Sequence, residues 1–221
     1  MPQASSRQDA ALLVIAKAPV AGLAKTRLCP PFSAAQAAAL ARAALVDTLA
    51  AVCATPARRH VLVLDGQPGD WLPAGVEVMP QRSGELAARI HGAFEDLGEP
   101  ALLIGMDTPQ VTPALLADGL RLLAAPGCDA VLGPTLDGGY WAIGLRAPDV
   151  RVFDRVPMSV SWTGAAQRRR LMDLGLRTRE LALLRDVDEH ADALAVADEA
   201  PSTGFARLLA TLALQPAGSA A

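Results

Sequence analysis

Short runs of apolar residues alternate with longer helix-forming segments over the first 133 residues of the chain. The runs are ALLVIA at 11–16, HVLVLD at 60–65, VEVM at 76–79, ALLIG at 101–105 and DAVLG at 129–133. A short, continuous apolar run is typical of a strand that is covered on both faces. The alternation therefore predicts an α/β domain with a mostly parallel sheet and helices on both faces.

Helix start signals mark several of the intervening segments. Ser33 precedes a long stretch rich in Ala and Leu, and Thr112 is followed by Pro113, which suits the first helical position. Apolar residues at helical spacing within 84–94 predict a further helix. These signals place one helix after the first strand and others before and after the run at 101–105.

The pattern changes after residue 133. The segment DGGYWAIGL at 137–145 is a glycine turn followed by an alternating run, which predicts an antiparallel or edge strand. A helix near 164–174, a short strand near 178–183 and a last helix at 203–214 complete the expected order. The fold class is thus α/β, with one strand antiparallel to an otherwise parallel sheet.

Composition excludes several classes of function. The 221 residues carry 23 acidic and 20 basic side chains, a formal net charge of -3, and only 4% are aromatic. A protein that coats DNA or RNA needs a basic surface, and one that stacks single-stranded bases needs aromatic side chains. We therefore expect no nucleic-acid polymer as partner, whereas a small molecule bearing phosphate needs only a few local cations.

Cysteine usage and the termini bear on the compartment. Cys29, Cys53 and Cys128 lie far apart and form no CxxC pair, so neither a disulfide framework nor a structural zinc site is expected. The first ten residues do not resemble a signal peptide, and the uncharged apolar runs are shorter than the roughly 20 residues of a membrane span. We expect a cytoplasmic protein without a membrane partner.

The length fits one large domain. We expect this domain to span residues 11–214, with tails at 1–10 and 215–221.

The segment AKAPVAGLAKTRL at 16–28 directly follows the first strand. The loop after strand one of an α/β sheet lies at the carboxyl edge, where such folds usually bind ligands. Gly22 allows close backbone approach, and the cations Lys17, Lys25 and Arg27 suit phosphate groups. The segment is not a P-loop, because the two required glycines are replaced. The alternative is a basic surface loop.

Three carboxylates are candidate metal ligands. Asp107 follows the strand at 101–105, and Thr112 already provides the cap of the next helix. Asp186 and Asp188 alternate in LLRDVDEH, so on a strand both would face the same way, although either could cap the helix that begins near Glu189. Oxygen donors suit Mg²⁺, and a metal bridging carboxylates and phosphates commonly serves phosphoryl chemistry.

Two further segments have both a structural and a functional interpretation. In QRSGELAARI at 81–90, Glu85 and Arg89 are spaced as a helical ion pair, or the helix start faces a nucleotide. Asp137 is either a turn residue before Gly138 or part of a substrate pocket.

Taken together, these segments resemble a known family. AKAPVAGLAKTRL, QRSGELAARI, IGMDTPQVTP, GPTLDGGYWAIGL, VPMSVSWTG and LRDVDE are similar to segments of the DUF2064 proteins and run from residue 11 to about 190. This family is described as glycosyltransferase-like or nucleotide-diphospho-sugar transferase-like. It is similar to the phospholactate and molybdenum-cofactor guanylyltransferases of the GT-A superfamily. The chain departs from the family pattern at Thr108, at Glu85 and at Val160 and Trp162.

The resemblance implies a GT-A, Rossmann-like three-layer sandwich and a set of site residues. Lys25, Arg27 and Asp107 would be catalytic, and Asp107 and Asp188 would bind Mg²⁺ or Mn²⁺. The other implied positions are nucleotide-binding (Ala16, Lys17, Gly22, Lys25, Gln81, Gly84, Arg89) or belong to the acceptor pocket (Asp137, Gly138, Gly139, Tyr140).

Two functions follow from this reading. The first is a metal-dependent transferase that uses a nucleotide or nucleotide-diphospho-sugar and a small-molecule acceptor, by nucleotidyl or by glycosyl transfer. Positioning and electrostatics dominate such catalysis, so no dedicated nucleophile is required. The alternative is a noncatalytic nucleotide-binding module that retains the GT-A fold.

Overall fold

A seven-stranded sheet forms the centre of the computed structural model, which describes residues 9–214. The strands are β1 (Ala11–Lys17), β2 (His60–Asp65), β3 (Glu77–Pro80), β4 (Ala101–Gly105), β5 (Ala130–Pro134), β6 (Tyr140–Leu145) and β7 (Thr178–Glu180). Their order in the sheet is β3-β2-β1-β4-β6-β5-β7. Only β6 runs antiparallel to its neighbours. The predicted mostly parallel sheet with one antiparallel strand is therefore confirmed.

Six α-helices pack around this sheet in the described part of the chain. They are α1 (Ala34–Cys53), α2 (Leu86–Leu97), α3 (Pro113–Ala124), α4 (Thr163–Asp173), α5 (His190–Glu199) and α6 (Gly204–Ala213). The predicted caps form: Ser33 accepts a hydrogen bond from the Gln36 amide, and Thr112 accepts one from the Leu115 amide at 3.3 Å. These bonds satisfy amides that have no partner inside the helix.

The continuous apolar run of β1 is explained by helices on both faces of the sheet. Leu12 and Val14 are buried on the face that α1 and α3 cover, and Leu13 is buried on the face that α2 and α4 cover. A third apolar cluster joins α1, α5 and α6 around Phe205. Helices therefore cover both faces of the central strands β1, β2 and β4.

One predicted strand is shorter than expected. The pattern predicts a strand near 178–183, but β7 ends at Glu180, and the chain pairs again only at an isolated bridge between Thr135 and Leu184. The ladder of β5 is irregular at Pro134, which has no amide hydrogen to donate. The segment after β7 is therefore irregular, and it leads toward the carboxyl ends of the strands.

One helix among residues 9–214 has the length and hydropathy of a membrane span. It is α1, but 56% of its most apolar window is buried inside the fold. It packs against β1, α3 and α6. Its hydropathy is thus that of a core helix. The two predicted tails, 1–10 and 215–221, lie outside the described residues except for Asp9 and Ala10.

Candidate active site

A cleft of about 720 Å³ opens at the carboxyl ends of β1 and β4 and beside the turn between β5 and β6. Most of the predicted site residues line it: Ala16, Lys17, Lys25, Arg27, Gln81, Arg89, Asp107, Asp137, Gly139, Tyr140 and Asp188. Three predicted glycines, Gly22, Gly84 and Gly138, are not among the lining residues. The fold therefore brings together the predicted first loop, the strand-end carboxylates and the predicted acceptor segment.

Lys25 is the buried cation of this cleft. Its ammonium lies 2.6 Å from a carboxylate oxygen of Asp107 and 3.5 Å from one of Asp188, and it donates to the Val187 carbonyl. Burial acts to lower the pKa of Lys25, but the charge of Asp107 and its hydrogen bond prevail and raise that pKa. The backbone of Lys25 is left-handed, with φ of 50°, a conformation that L-residues rarely adopt. Because its pKa is raised, Lys25 carries a positive charge at neutral pH.

Arg27 adds a second, more exposed cation. Its guanidinium lies 3.1 Å from Asp188, and 67% of its side chain is exposed. An exposed ion pair of this kind contributes little to stability. Arg27 is therefore free to exchange Asp188 for an anionic ligand.

Three carboxylates, one of them the Lys25 partner Asp188, lie close together in the cleft. Asp137, Asp186 and Asp188 each offer an oxygen, and these oxygens lie within 4.8 Å of one another. Burial, together with the charges of Asp137 and Asp188, raises the pKa of Asp186 to about 6. Crowded carboxylates with only oxygen donors fit a hard divalent cation such as Mg²⁺ or Mn²⁺.

The alternation Asp-Val-Asp produces this cluster. Val187 is 1% exposed and packs in the apolar cluster of α1, α5 and α6, so the two flanking carboxylates face the cleft. Asp186 is a candidate ligand by its alternation with Asp188, but the family resemblance implies only Asp107 and Asp188 as metal ligands. The buried valine between the two acids was the available signal. Asp137 joins them because its turn folds back, where it accepts hydrogen bonds from Thr135 and from the Gly139 amide.

Asp107 has a different environment from the three clustered carboxylates. It is paired with Lys25, and its main-chain carbonyl accepts a hydrogen bond of 2.8 Å from the Val187 amide. Asp107 thus binds both the loop cation and the segment that carries Asp186 and Asp188.

Gln81 uses its side chain inside the protein. Its amide nitrogen donates to the carbonyls of Ala16 at 2.7 Å and Val63 at 3.1 Å, and its oxygen accepts from Arg89 at 3.1 Å. No Glu85–Arg89 ion pair forms among the described residues, and Glu85 instead precedes α2 as its N-cap residue. Gln81 therefore holds the end of β1 and directs Arg89, both of which line the cleft.

The predicted acceptor segment packs against the chain before α4. Gly138 has φ of 91°, and a Cβ there would lie 1.8 Å from the Ser161 carbonyl oxygen. The Gly164 amide donates to the Gly138 carbonyl at 2.8 Å. Val160, which departs from the family pattern, and Ser161, for which no role was predicted, both line the wall of the cleft beside this contact.

The neighbouring Tyr140 is also part of this wall. Its hydroxyl lies 3.7 Å from the Met158 sulfur, and burial raises its pKa. The phenol is therefore neutral and presents an apolar ring with one hydrogen-bonding group to the cleft.

The sheet order and the charged cleft at its carboxyl edge define a nucleotidyltransferase-like α/β protein. The family model DUF2064, "Uncharacterized protein conserved in bacteria", matches residues 36–160, and the chain belongs to this family. The family and the fold class predicted from the sequence are thereby confirmed.

Proteins of related sequence and structure have also been described. The 2-phospho-L-lactate guanylyltransferase of Natrialba magadii is 29% identical over 194 residues, covering 78% of each chain. That of Natronomonas pharaonis is 32% identical over 175 residues, covering 76% of each. A crystal structure from Desulfovibrio desulfuricans G20, provisionally described as a nucleotide-diphospho-sugar transferase, has a TM-score of 0.80 at 25% identity. It covers 93% of this chain and 94% of its own.

Proposed function

We propose that this protein is a divalent-cation-dependent nucleotidyltransferase. It would transfer a nucleoside monophosphate from a nucleoside triphosphate to a small acceptor that bears a phosphate. The observation that carries this proposal is the meeting of Lys25 with the carboxylates Asp107, Asp137, Asp186 and Asp188 in one cleft. A largely buried cation beside clustered acids suits a ligand that brings phosphate and metal together.

In the proposed reaction, an acceptor phosphate oxygen attacks the α-phosphate of the nucleotide. A bond forms from that oxygen to the α-phosphorus, and the bond to the oxygen bridging to the β-phosphate breaks, so pyrophosphate leaves. Lys25 and Arg27 lie where they would neutralise the developing negative charge. The chain holds the reactants in place and needs no covalent intermediate.

The carboxylates are the proposed metal ligands. Asp188, with Asp137 and Asp186, would hold the cation, and Asp107 would complete the acidic environment from the end of β4. When bound, Mg²⁺ or Mn²⁺ would screen phosphate charge and act as a Lewis acid.

The remaining predicted residues have roles in holding the nucleotide and the acceptor. Ala16, Lys17, Gln81 and Arg89, which line the cleft, would form its nucleotide side, and Gly22 and Gly84, both with positive φ, would shape the neighbouring loops. The turn at 137–140 would form the acceptor side, with Asp137, Gly139 and Tyr140 lining the cleft and Gly138 packed against Ser161.

Nucleotidyl transfer is preferred over glycosyl transfer because the sequence relatives are guanylyltransferases and align over three quarters of the chain. The structural relative from D. desulfuricans favours glycosyl transfer as the second candidate. In that case the same cations would stabilise a departing nucleoside diphosphate.

Pyrophosphate release tests the proposal. Purified protein is incubated with Mg²⁺ or Mn²⁺, each nucleoside triphosphate in turn, and 2-phospho-L-lactate or another phosphorylated acid. We expect release that depends on metal and acceptor, and its loss in Lys25→Ala and Asp188→Asn. Asp118→Asn is the matched control, because Asp118 forms an ion pair with Arg121 on the exposed face of α3.

Three other outcomes contradict nucleotidyl transfer in different ways. Turnover of nucleotide-diphospho-sugars without pyrophosphate release indicates glycosyl transfer. Metal-dependent nucleotide binding without any turnover indicates the noncatalytic binding module. Unchanged nucleotide affinity in both site variants, measured by calorimetry, would show that the cleft is not the nucleotide site.

A further inference from the structure

The segment that carries Asp186 and Asp188 is irregular, yet it is fixed from two sides. On one side, the Leu184 amide donates to the Pro134 carbonyl at 3.1 Å, and the Leu184 carbonyl accepts from the Leu136 amide at 3.0 Å. These bonds continue the edge of β5 beyond the end of β7. They fix the start of the segment but not the two acids themselves.

On the other side, the segment is bound to the turn that follows β4. The Val187 amide donates to the Asp107 carbonyl at 2.8 Å, and the side-chain amide of Gln110 donates to the Arg185 carbonyl at 2.5 Å. The first bond is between main-chain groups, so side-chain substitution does not remove it. Gln110 supplies the side-chain contact that holds the peptide directly before Asp186.

The oxygen of the same Gln110 side-chain amide makes no comparable hydrogen bond in the described part of the chain. This Oε1 atom is buried and has no hydrogen-bond partner among the residues 9–214. A buried acceptor without a partner destabilises the fold. The favourable role of this glutamine therefore lies in its donor group and in the Arg185 carbonyl that it holds.

We propose that Gln110 is a positioning residue for the metal site. By holding the Arg185 carbonyl, it fixes the direction in which the backbone enters Asp186 and so the convergence of Asp186 and Asp188 with Asp137. Gln110 does not line the cleft, and it acts through the segment. The inference rests on the proposed function, because it requires that the three carboxylates bind a cation.

Titration of Mn²⁺ alone into Gln110→Met tests this role by isothermal calorimetry. Methionine has a similar shape but no donor, so the Arg185 carbonyl loses its partner while the unpaired buried oxygen also disappears. Since partners that orient metal ligands typically contribute 10–100-fold to affinity, we expect Mn²⁺ affinity to fall about 10-fold. The melting temperature should change little, because the two effects on stability oppose each other.

Gln167→Met is the matched control. Gln167 resembles Gln110 in that its Nε2 donates to a main-chain carbonyl, that of Val152 at 2.9 Å, and its buried Oε1 is unpaired among the described residues. It lies on α4, outside the segment that carries Asp186 and Asp188. We expect this variant to bind Mn²⁺ as tightly as the wild type. Gln110→Ala serves as a second variant should the methionine fail to fold.

The outcomes separate this inference from the proposed function. Equal Mn²⁺ affinity in the wild type and folded Gln110 variants overturns the positioning role and leaves the proposed metal site intact. A wild-type protein that binds no Mn²⁺ overturns the metal site and this inference together. An equal loss of Mn²⁺ affinity in Gln167→Met would show that replacing either glutamine weakens binding regardless of its place in the fold. That result would also overturn the positioning role of Gln110.

Discussion

The ammonium of Lys25 lies 2.6 Å from Asp107 and 3.5 Å from Asp188, so one buried cation joins two carboxylates that are 81 residues apart in the chain. The first loop, the end of β4 and the segment before α5 are thereby linked through one side chain. The loop cation is held by acids of the site itself. A phosphate ligand therefore meets a cation whose position is already fixed.

This relationship predicts that Lys25→Ala weakens the binding of a nucleotide but does not weaken the binding of Mn²⁺. Binding of a nucleoside triphosphate should weaken at least about 10-fold, because a charge-assisted contact to phosphate is lost. Binding of Mn²⁺ alone should be unchanged or tighter, because the neighbouring ammonium repels a dication. Calorimetric titration of each ligand separately measures both effects, with Arg121→Ala as the control for loss of a distant cation. Weaker Mn²⁺ binding with unchanged nucleotide binding would contradict the assignment.

The sheet and its ligand-binding edge could be predicted from sequence because local patterns determine them. Continuous apolar runs mark strands covered on both faces, and the glycine turn before Tyr140 marks the antiparallel strand β6. Since parallel strands carry their loops at a shared edge, Lys25 after β1 and Asp107 after β4 are expected on the same side of the sheet, and both line the cleft there.

The pairings within the cleft could not be predicted in the same way. Lys25 contacts Asp188 across 163 residues of sequence, and Gly138 packs on Ser161 through backbone atoms that carry no side-chain signal. Glutamine is a residue type that often binds ligands, yet the Gln81 side-chain nitrogen donates its hydrogen bonds to the Ala16 and Val63 carbonyls. Such contacts depend on tertiary packing, which residue type and spacing do not specify.

The internal bonds of Gln81 predict an indirect effect on nucleotide binding. In Gln81→Leu, the Ala16 carbonyl and Arg89 lose a partner that holds them toward the cleft. We expect nucleotide affinity to fall several-fold, roughly the effect of losing one or two net hydrogen bonds, with Mn²⁺ affinity unchanged. The control is Gln36→Leu, which removes a half-buried glutamine of the α1 capping box that does not line the cleft. The same calorimetric titrations would refute this role if Gln36→Leu and Gln81→Leu behaved alike.

The crowded carboxylates predict that the acidic cluster destabilises the metal-free fold near neutral pH. The pKa of Asp186 is raised from its ordinary value of 3.8 to about 6. An acid with a raised pKa in the folded state favours folding fully only below pH 3.8, and this contribution is lost as the pH rises through 6. Asp186→Asn should therefore melt a few degrees higher than the wild type at pH 7.5 in EDTA.

The pH dependence provides the control for this prediction. At pH 4, Asp186 is largely protonated in the folded state, so the gain in melting temperature of Asp186→Asn should nearly vanish. Asp118→Asn, which changes an exposed acid paired with Arg121, should show no such gain at pH 7.5. A gain that is equal at both pH values would show that ionisation of the buried, crowded Asp186 is not its cause.

The glycine turn at the acceptor side predicts different costs for two substitutions with similar backbone geometry. Gly22 and Gly138 both have positive φ, 77° and 91°, so alanine strains the backbone at either position. At Gly22 a Cβ meets nothing within 4 Å, whereas at Gly138 it would lie 1.8 Å from the Ser161 carbonyl oxygen. Gly22→Ala should therefore cost about 1–2 kcal/mol, the strain alone.

Gly138→Ala should cost at least twice as much, because the turn and the chain before α4 must separate. Since 1 kcal/mol corresponds to about 2–4 °C for a domain of this size, the two variants are distinguishable by calorimetric melting. Separation of this contact also moves Val160 and Ser161, which line the cleft, so acceptor KM should rise in Gly138→Ala and not in Gly22→Ala. Equal melting temperatures for the two variants would show that the chain before α4 yields without cost. The positions of Val160 and Ser161 on the wall of the cleft would then not depend on the packing of Gly138 against Ser161.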